Sequence, residues 1–166
     1  MVTVAMENTH TVTVRPATEA DLDALGRMAG ALVRFHHEVD PRRFLLAKGV
    51  EEGYRRWFRQ ELANADAMIR VAEGGDHRVL GYTYARLEPR DWNMLLDQYI
   101  ALHDIFVDPA ARGARVGELL MAAFVADVEA RGNARVVLHT MVSNERAQRL
   151  FAKYGFRPTM LEMTRG

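Results

Sequence analysis

The chain has 166 residues, 22 basic and 22 acidic, with 49% hydrophobic and 27% charged side chains and no cysteine. A chain of this length closes one core without disulfides or metal. The charge balance disfavours a nucleic-acid binder, and the lack of cysteine excludes a disulfide scaffold, a thiolate metal cluster and a cysteine nucleophile. The longest apolar run, Leu119 to Ala126, has eight residues, where a membrane span needs about 20. With Glu7, Asn8 and His10 near its start the chain lacks a signal-peptide pattern, so a cytoplasmic domain is expected.

A single domain over residues 10–166 is expected, with 1–9 as a tail or an extra strand. Thr11 to Val14 alternates as a strand does, and Arg15-Pro16 ends it. Thr18 suits a helix N-cap, followed by Leu22, Leu25, Ala29, Leu32 and His36 on one helical face until Asp40-Pro41. Val50, Tyr54, Trp57, Phe58 and Leu62 mark a second helix, with Arg55, Arg56 and Arg59 on its solvated side. Strands over Met68–Ala72 and Val79–Leu87 flank the turn Glu73-Gly74-Gly75-Asp76, and a third runs from Gln98 to Val107. A helix from Val116 to Gly132, a strand from Arg135 to Met141, a helix from Asn144 to Tyr154 and a last strand over 159–164 complete the chain. The order β-α-α-β-β-β-α-β-α-β implies an α/β (α+β) fold, a mixed sheet with helices on both faces.

The richest stretch joins strand to helix: Val107-Asp108-Pro109-Ala110-Ala111-Arg112-Gly113-Ala114-Arg115-Val116-Gly117. The first amides of a helix have no internal partners and sit at the positive end of its dipole, which suits a phosphate. Gly113 and Gly117 admit close approach of an anion, and Arg112 adds a fork of donors. The alternative is an ordinary glycine-punctuated turn. Neither Gly-Lys-Ser/Thr nor a Gly-x-Gly-x-x-Gly on the first strand is present, which excludes the mononucleotide P-loop and the Rossmann dinucleotide site.

The next strand-to-helix junction carries Asn144-Glu145-Arg146-Ala147-Gln148-Arg149-Leu150-Phe151-Ala152-Lys153-Tyr154-Gly155-Phe156. With it the chain resembles the GCN5-related N-acetyltransferases. Their pattern is Val-x-Pro, Arg/Gln-x-x-Gly-x-Gly/Ala and then Asn-x-x-Ala-x-x-Leu-Tyr-x-x-x-Gly-Phe. Val107, Pro109, Arg112, Gly117, Asn144, Ala147, Leu150, Gly155 and Phe156 match it. The resemblance implies a sheet whose two central parallel strands, ending near Val107 and Met141, splay apart to admit acetyl-CoA. It implies pantetheine pairing along Ile105, Phe106 and Val107, and pyrophosphate on Arg112, Gly113, Ala114, Arg115, Val116 and Gly117. Asn144, Ala147 and Phe151 would then line the cofactor arm. The implied partners are acetyl-CoA and an amine acceptor, with no metal, nucleic acid or membrane, in a monomer or homodimer.

Two residues depart from that pattern. Arg115 replaces a glycine, so a left-handed backbone there would be strained. Phe151 replaces a tyrosine able to protonate the leaving thiolate, which motivates the alternative of an inactive or regulatory CoA-binding member. The chain's lone serine, Ser143, is not in a nucleophile elbow, so direct transfer to the amine is expected. His139 is the first choice of proton acceptor, with Asp104 as competitor and His103 beside it on the opposite face of its strand. Each histidine reads first as a hydrogen-bonded sheet residue, with the catalytic role as the second reading. Tyr154 could replace the missing acid or serve as a core aromatic. By the resemblance, residues from Phe35 to Phe44 border the acceptor groove. Adjacent His36 and His37 diverge by about 100° on a helix, so they form no metal site with Asp40.

Overall fold

Period-two alternation of apolar side chains in the strands sends their side chains to two faces, and each face is closed by its own pair of helices. The computed structural model describes residues 12–132 and 135–165, and the expected tail 1–9 lies outside them. In chain order the elements are β1 (Thr13–Pro16), α1 (Leu22–Val39), α2 (Val50–Leu62), β2 (Ala67–Glu73), β3 (Val79–Glu88), β4 (Tyr99–Val107), α3 (Val116–Ala130), β5 (Val136–Leu138) and α4 (Glu145–Lys153). They form one five-stranded sheet in the order β1-β2-β3-β4-β5. β1 to β4 are antiparallel, and β4 and β5 are parallel.

Ile69, Val71, Tyr82 and Tyr84 meet Leu25, Met28, Ala29 and Phe58 of α1 and α2. On the opposite face Met68, Ala85, Ile100 and Leu102 meet Met121, Phe124 and Val128 of α3 and Phe151 of α4. Arg15 ties β1 to the start of α1, bonding Asp21 at 2.8 Å and Glu73 at 2.9 Å. Arg70 of β2 donates to Asp127 of α3 at 2.7 Å. Among the described residues no helix is long and apolar enough to cross a membrane.

Three boundaries differ from those expected. β1 runs on through Arg15 and Pro16, where an edge strand tolerates proline. β5 ends at Leu138 rather than Met141. The amide of Gln148 donates to the carbonyls of Met141 (3.0 Å) and Val142 (2.8 Å), drawing that stretch to the head of α4. Residues 159–164 form no strand, so β5 is the sheet edge rather than a central strand. Glu162 is instead held by the guanidinium of Arg43 in the α1–α2 loop, with Nη2 2.9 Å from Oε2.

Candidate active site

β4 carries the irregularity around which the site is built. It pairs Asp104 with Tyr84 and Leu102 with Ala85, so His103 is an extra residue with no partner on β3. A β-bulge of this kind re-aims the side chains beside it. His103 stacks on Tyr84, and Asp104 accepts a hydrogen bond of 2.9 Å from the Tyr82 hydroxyl. Both therefore lie on the α1/α2 face. The expectation that they point to opposite faces is corrected: strict alternation assumes an unbroken ladder, and the bulge breaks it.

The Asp104 carboxyl is partly buried and has no cation within ion-pair distance among the described residues. Burial raises its pKa above the ordinary aspartate value, against the Tyr82 hydrogen bond and the nearby His103 and His36, which lower it. Tyr82 is fully buried, and its pKa is raised by burial and then by the Asp104 charge. Tyr54 of α2 is raised by burial and by the same carboxylate. Sequence reading missed Tyr82 and Tyr54 as neighbours of Asp104. The signal was present in Tyr82 and Tyr84, two apart on one strand and so on one face.

The parallel pairing of β4 with β5 covers only Ile100–Leu102 against Val136–Leu138. It stops at the bulge, and no further β4–β5 pair follows among the described residues. Asp108 donates to Leu80 of β3 at 2.8 Å. By alternation the backbone groups of Ile105 and Val107 point the other way, toward the vacated edge. At the end of β4 a short turn at Pro109–Ala111, capped by Asp108, leads into the loop before α3. The amides of Gly113, Arg115, Val116 and Gly117 make no hydrogen bond among the described residues. They lie together at the positive end of a 15-residue helix. These residues fit a diphosphate, as the sequence pattern implies.

Arg115 does adopt the left-handed conformation, with φ 58° and ψ 15°. Its Nε donates to Glu118 at 3.0 Å, and Glu118 also takes Lys153, which together hold its carboxyl below the ordinary range. A left-handed arginine costs about 1–2 kcal/mol, partly offset in a glycine variant by the looser unfolded chain, at about 0.4–1 kcal/mol. Arg115→Gly should therefore show a modestly higher melting temperature in calorimetry. A lower one would mean that the side chain contributes more than the backbone strain costs.

Asn144 caps α4, its side-chain oxygen accepting from the Ala147 amide at 3.2 Å, which leaves its NH2 group for a ligand. Phe151 is buried, 6% exposed, against α3. Tyr154 donates its hydroxyl to the Glu118 carbonyl at 2.7 Å and, with Ala114 and Arg115, lines a cavity of about 400 Å3 beside the loop. His139 is exposed past the end of β5, close enough to Glu162 to act on its charge. His36 and His37 are bonded through Nδ1 to the carbonyls of Leu32 (2.8 Å) and Phe44 (2.7 Å). Asp104, Ile105 and Val107 thus stand together on β4 beyond its last pairing with β5. Tyr154 is partly buried against the same core as Phe151.

The model of the Acetyltransferase (GNAT) family matches residues 33–156. The chain belongs to that family. GNAT proteins use acetyl-CoA as donor. A mycothiol acetyltransferase of Nocardia farcinica is 29% identical over 86 residues, 52% of this chain and 27% of that protein. The chain thus spans about a quarter of the length of that curated relative. Among solved structures, a tetramutant of the BH1408 protein from Bacillus halodurans superposes with a TM-score of 0.80 at 19% identity, covering 93% of this chain and 99% of that one. A GCN5-related N-acetyltransferase from Ralstonia eutropha JMP134 has a TM-score of 0.71 at 27% identity, with 94% and 98% covered. The mixed sheet with its parallel β4–β5 pair agrees with that fold.

Proposed function

We propose that the chain transfers the acetyl group of acetyl-CoA directly to a primary amine of a small molecule or a peptide. One observation carries this reading: β4–β5 pairing ends at Leu102, and the stretch that follows carries a partly buried carboxylate on the α1/α2 face and then helix-start amides without hydrogen bonds among the described residues. Acetyl-CoA supplies a thioester carbonyl. The amides of Gly113, Arg115, Val116 and Gly117 hold its diphosphate, the edge of Ile105 and Val107 holds its pantetheine, and the free NH2 of Asn144 steadies that arm. The amine nitrogen bonds to the acetyl carbon as the carbon–sulfur bond breaks. The ammonium proton passes to a base, and the sulfur leaves as thiolate.

Asp104 suits the role of base. It stands on β4 beyond the last β4–β5 pair, has no ion-pair partner among the described residues, and burial makes it a stronger base than an exposed aspartate. His139 is the competitor, exposed to solvent and nearer Glu162.

Phe151 and Tyr154 favour a second reading, an inactive or regulatory CoA-binding member, because neither presents a free hydroxyl for the thiolate. Incubating the chain with acetyl-CoA and a panel of amines while following free thiol separates the two. Thermal stabilisation by CoA without thiol release for any amine would favour the regulatory reading. Tyr154→Phe tests the proton donor. With its hydroxyl committed to Glu118, the substitution should cost about 1 kcal/mol of stability and change kcat by less than about threefold. A fall of about 10²–10⁴ in kcat would make Tyr154 the general acid.

A further inference from the structure

The bulge that aims Asp104 needs something to hold it. A residue without a cross-strand partner has no ladder bond fixing its place, and a slip of one position would turn the side chains beyond it to the opposite face. His103 is that residue. Its ring lies nearly parallel to the Tyr84 ring, with centroids 5.2 Å apart and planes 20° apart, and its Nε2 donates to Glu88 at 2.9 Å. Glu88 in turn accepts from Arg86 at 3.0 Å. The Tyr84 hydroxyl donates to Glu61 of α2 at 2.7 Å, and Arg86 stands 3.9 Å from Glu61. The chain of contacts closes on itself: His103, Glu88, Arg86, Glu61, Tyr84 and His103 again. It spans β4, β3 and α2 on the face where Asp104 stands.

From this geometry we infer that His103 is a positioning residue for the transfer, clasped between Tyr84 and Glu88 so that the bulge, and with it Asp104, stays fixed toward the acceptor side. The inference rests on the acetyltransferase reading for its consequence in turnover, but the clasp itself is a property of the fold. It also couples charge. The groups facing Asp104 are Tyr82 of β3, Tyr54 of α2, His36 of α1 and His103 itself. A substitution at His103 leaves the Tyr82 hydrogen bond in place.

The test compares His103→Ala with His103→Gln in the full chain. Glutamine keeps a flat amide to lie on Tyr84 and an N–H to reach Glu88, but carries no charge. The substrates are acetyl-CoA and whichever amine of a panel of alkylamines, amino sugars and short peptides the unmodified chain acetylates fastest. At the alkaline plateau, His103→Ala should lower kcat by about 10²-fold, the size expected when a reacting group moves by about 1 Å. His103→Gln should recover most of that loss. Both variants should still bind CoA through the phosphate loop, which neither substitution touches. Asp104 followed by carboxyl 13C NMR should titrate at higher pH in both variants. Hydrogen exchange at the Asp104 amide should quicken in the alanine variant and not in the glutamine one.

A glutamine variant as impaired as the alanine variant overturns the inference, as does an Asp104 titration that neither substitution moves. If the unmodified chain acetylates no amine, the acetyltransferase reading fails separately. The titration and the amide exchange then decide the clasp without turnover.

Discussion

Asp104→Asn is expected to lower kcat by about 10²–10⁴, the usual weight of a general base, and at the same time to raise the melting temperature at neutral pH. Both follow from one partly buried carboxylate that has no ion-pair partner among the described residues. Asparagine keeps an oxygen to accept from the Tyr82 hydroxyl, so the contact at 2.9 Å survives while the charge is lost. The sign of the stability change comes from linkage. The folded pKa of Asp104 is raised above its unfolded value by burial, so the native state holds the proton more tightly. That contribution is present below the unfolded pKa and lost as pH rises through the folded one. At neutral pH the ionised group costs stability, and the asparagine variant escapes the cost. The gain should shrink as pH falls through the raised value. For activity, kcat/KM should fall on the acid side as Asp104 takes up its proton, and that limb should vanish in the variant. If the limb survives in Asp104→Asn and disappears in His139→Ala, the base is the histidine.

The two halves of the site were unequally legible in the sequence. The loop before α3 and its free amides could be read because their physics is local. Asp108-Pro109 stops a strand, glycines punctuate the loop, and an apolar stripe starts a helix immediately after, so the free amides follow from the chain's own order. Asn144 could be read as a cap for the same reason. The acceptor face could not, because it depends on pairing between strands. Nothing in Leu102-His103-Asp104-Ile105 announces an inserted residue: no glycine or proline marks it, and alternation gives the wrong face for one of the two side chains. The ring of contacts from His103 to Glu61 joins residues far apart in the chain and forms only once β3, β4 and α2 are assembled. The last strand failed for a related reason. Residues 159–164 form a short apolar-rich run, but Met160, Leu161 and Met163 stay exposed, and the segment is tied by the Glu162 side chain rather than by a ladder.

The loop assignment has a test of its own. Gly117→Glu is expected to abolish CoA binding at micromolar concentrations while leaving the fold intact. A β-carbon added at Gly117 would meet Leu150 Cδ2 at 3.4 Å and Val107 Cγ2 at 3.7 Å, contacts the packing can accept. The backbone there is ordinary helix, the second residue of α3, and a carboxylate in the first turn interacts favourably with the dipole by about 0.3–1 kcal/mol. The variant should therefore melt at or above the temperature of the unmodified chain. Toward CoA the same carboxylate acts in the opposite sense. It occupies the position of the anion it resembles and repels one that approaches. Two unit charges 4 Å apart near a protein surface repel by about 4 kcal/mol, about a thousandfold in Kd. Gly117→Ala adds the bulk without the charge and should stay close to normal. Pantetheine, which has no diphosphate, should bind all three forms alike. Calorimetric titration with CoA and with pantetheine reads these differences directly. A Gly117→Glu variant that binds CoA as tightly as the unmodified chain would place the diphosphate away from this helix.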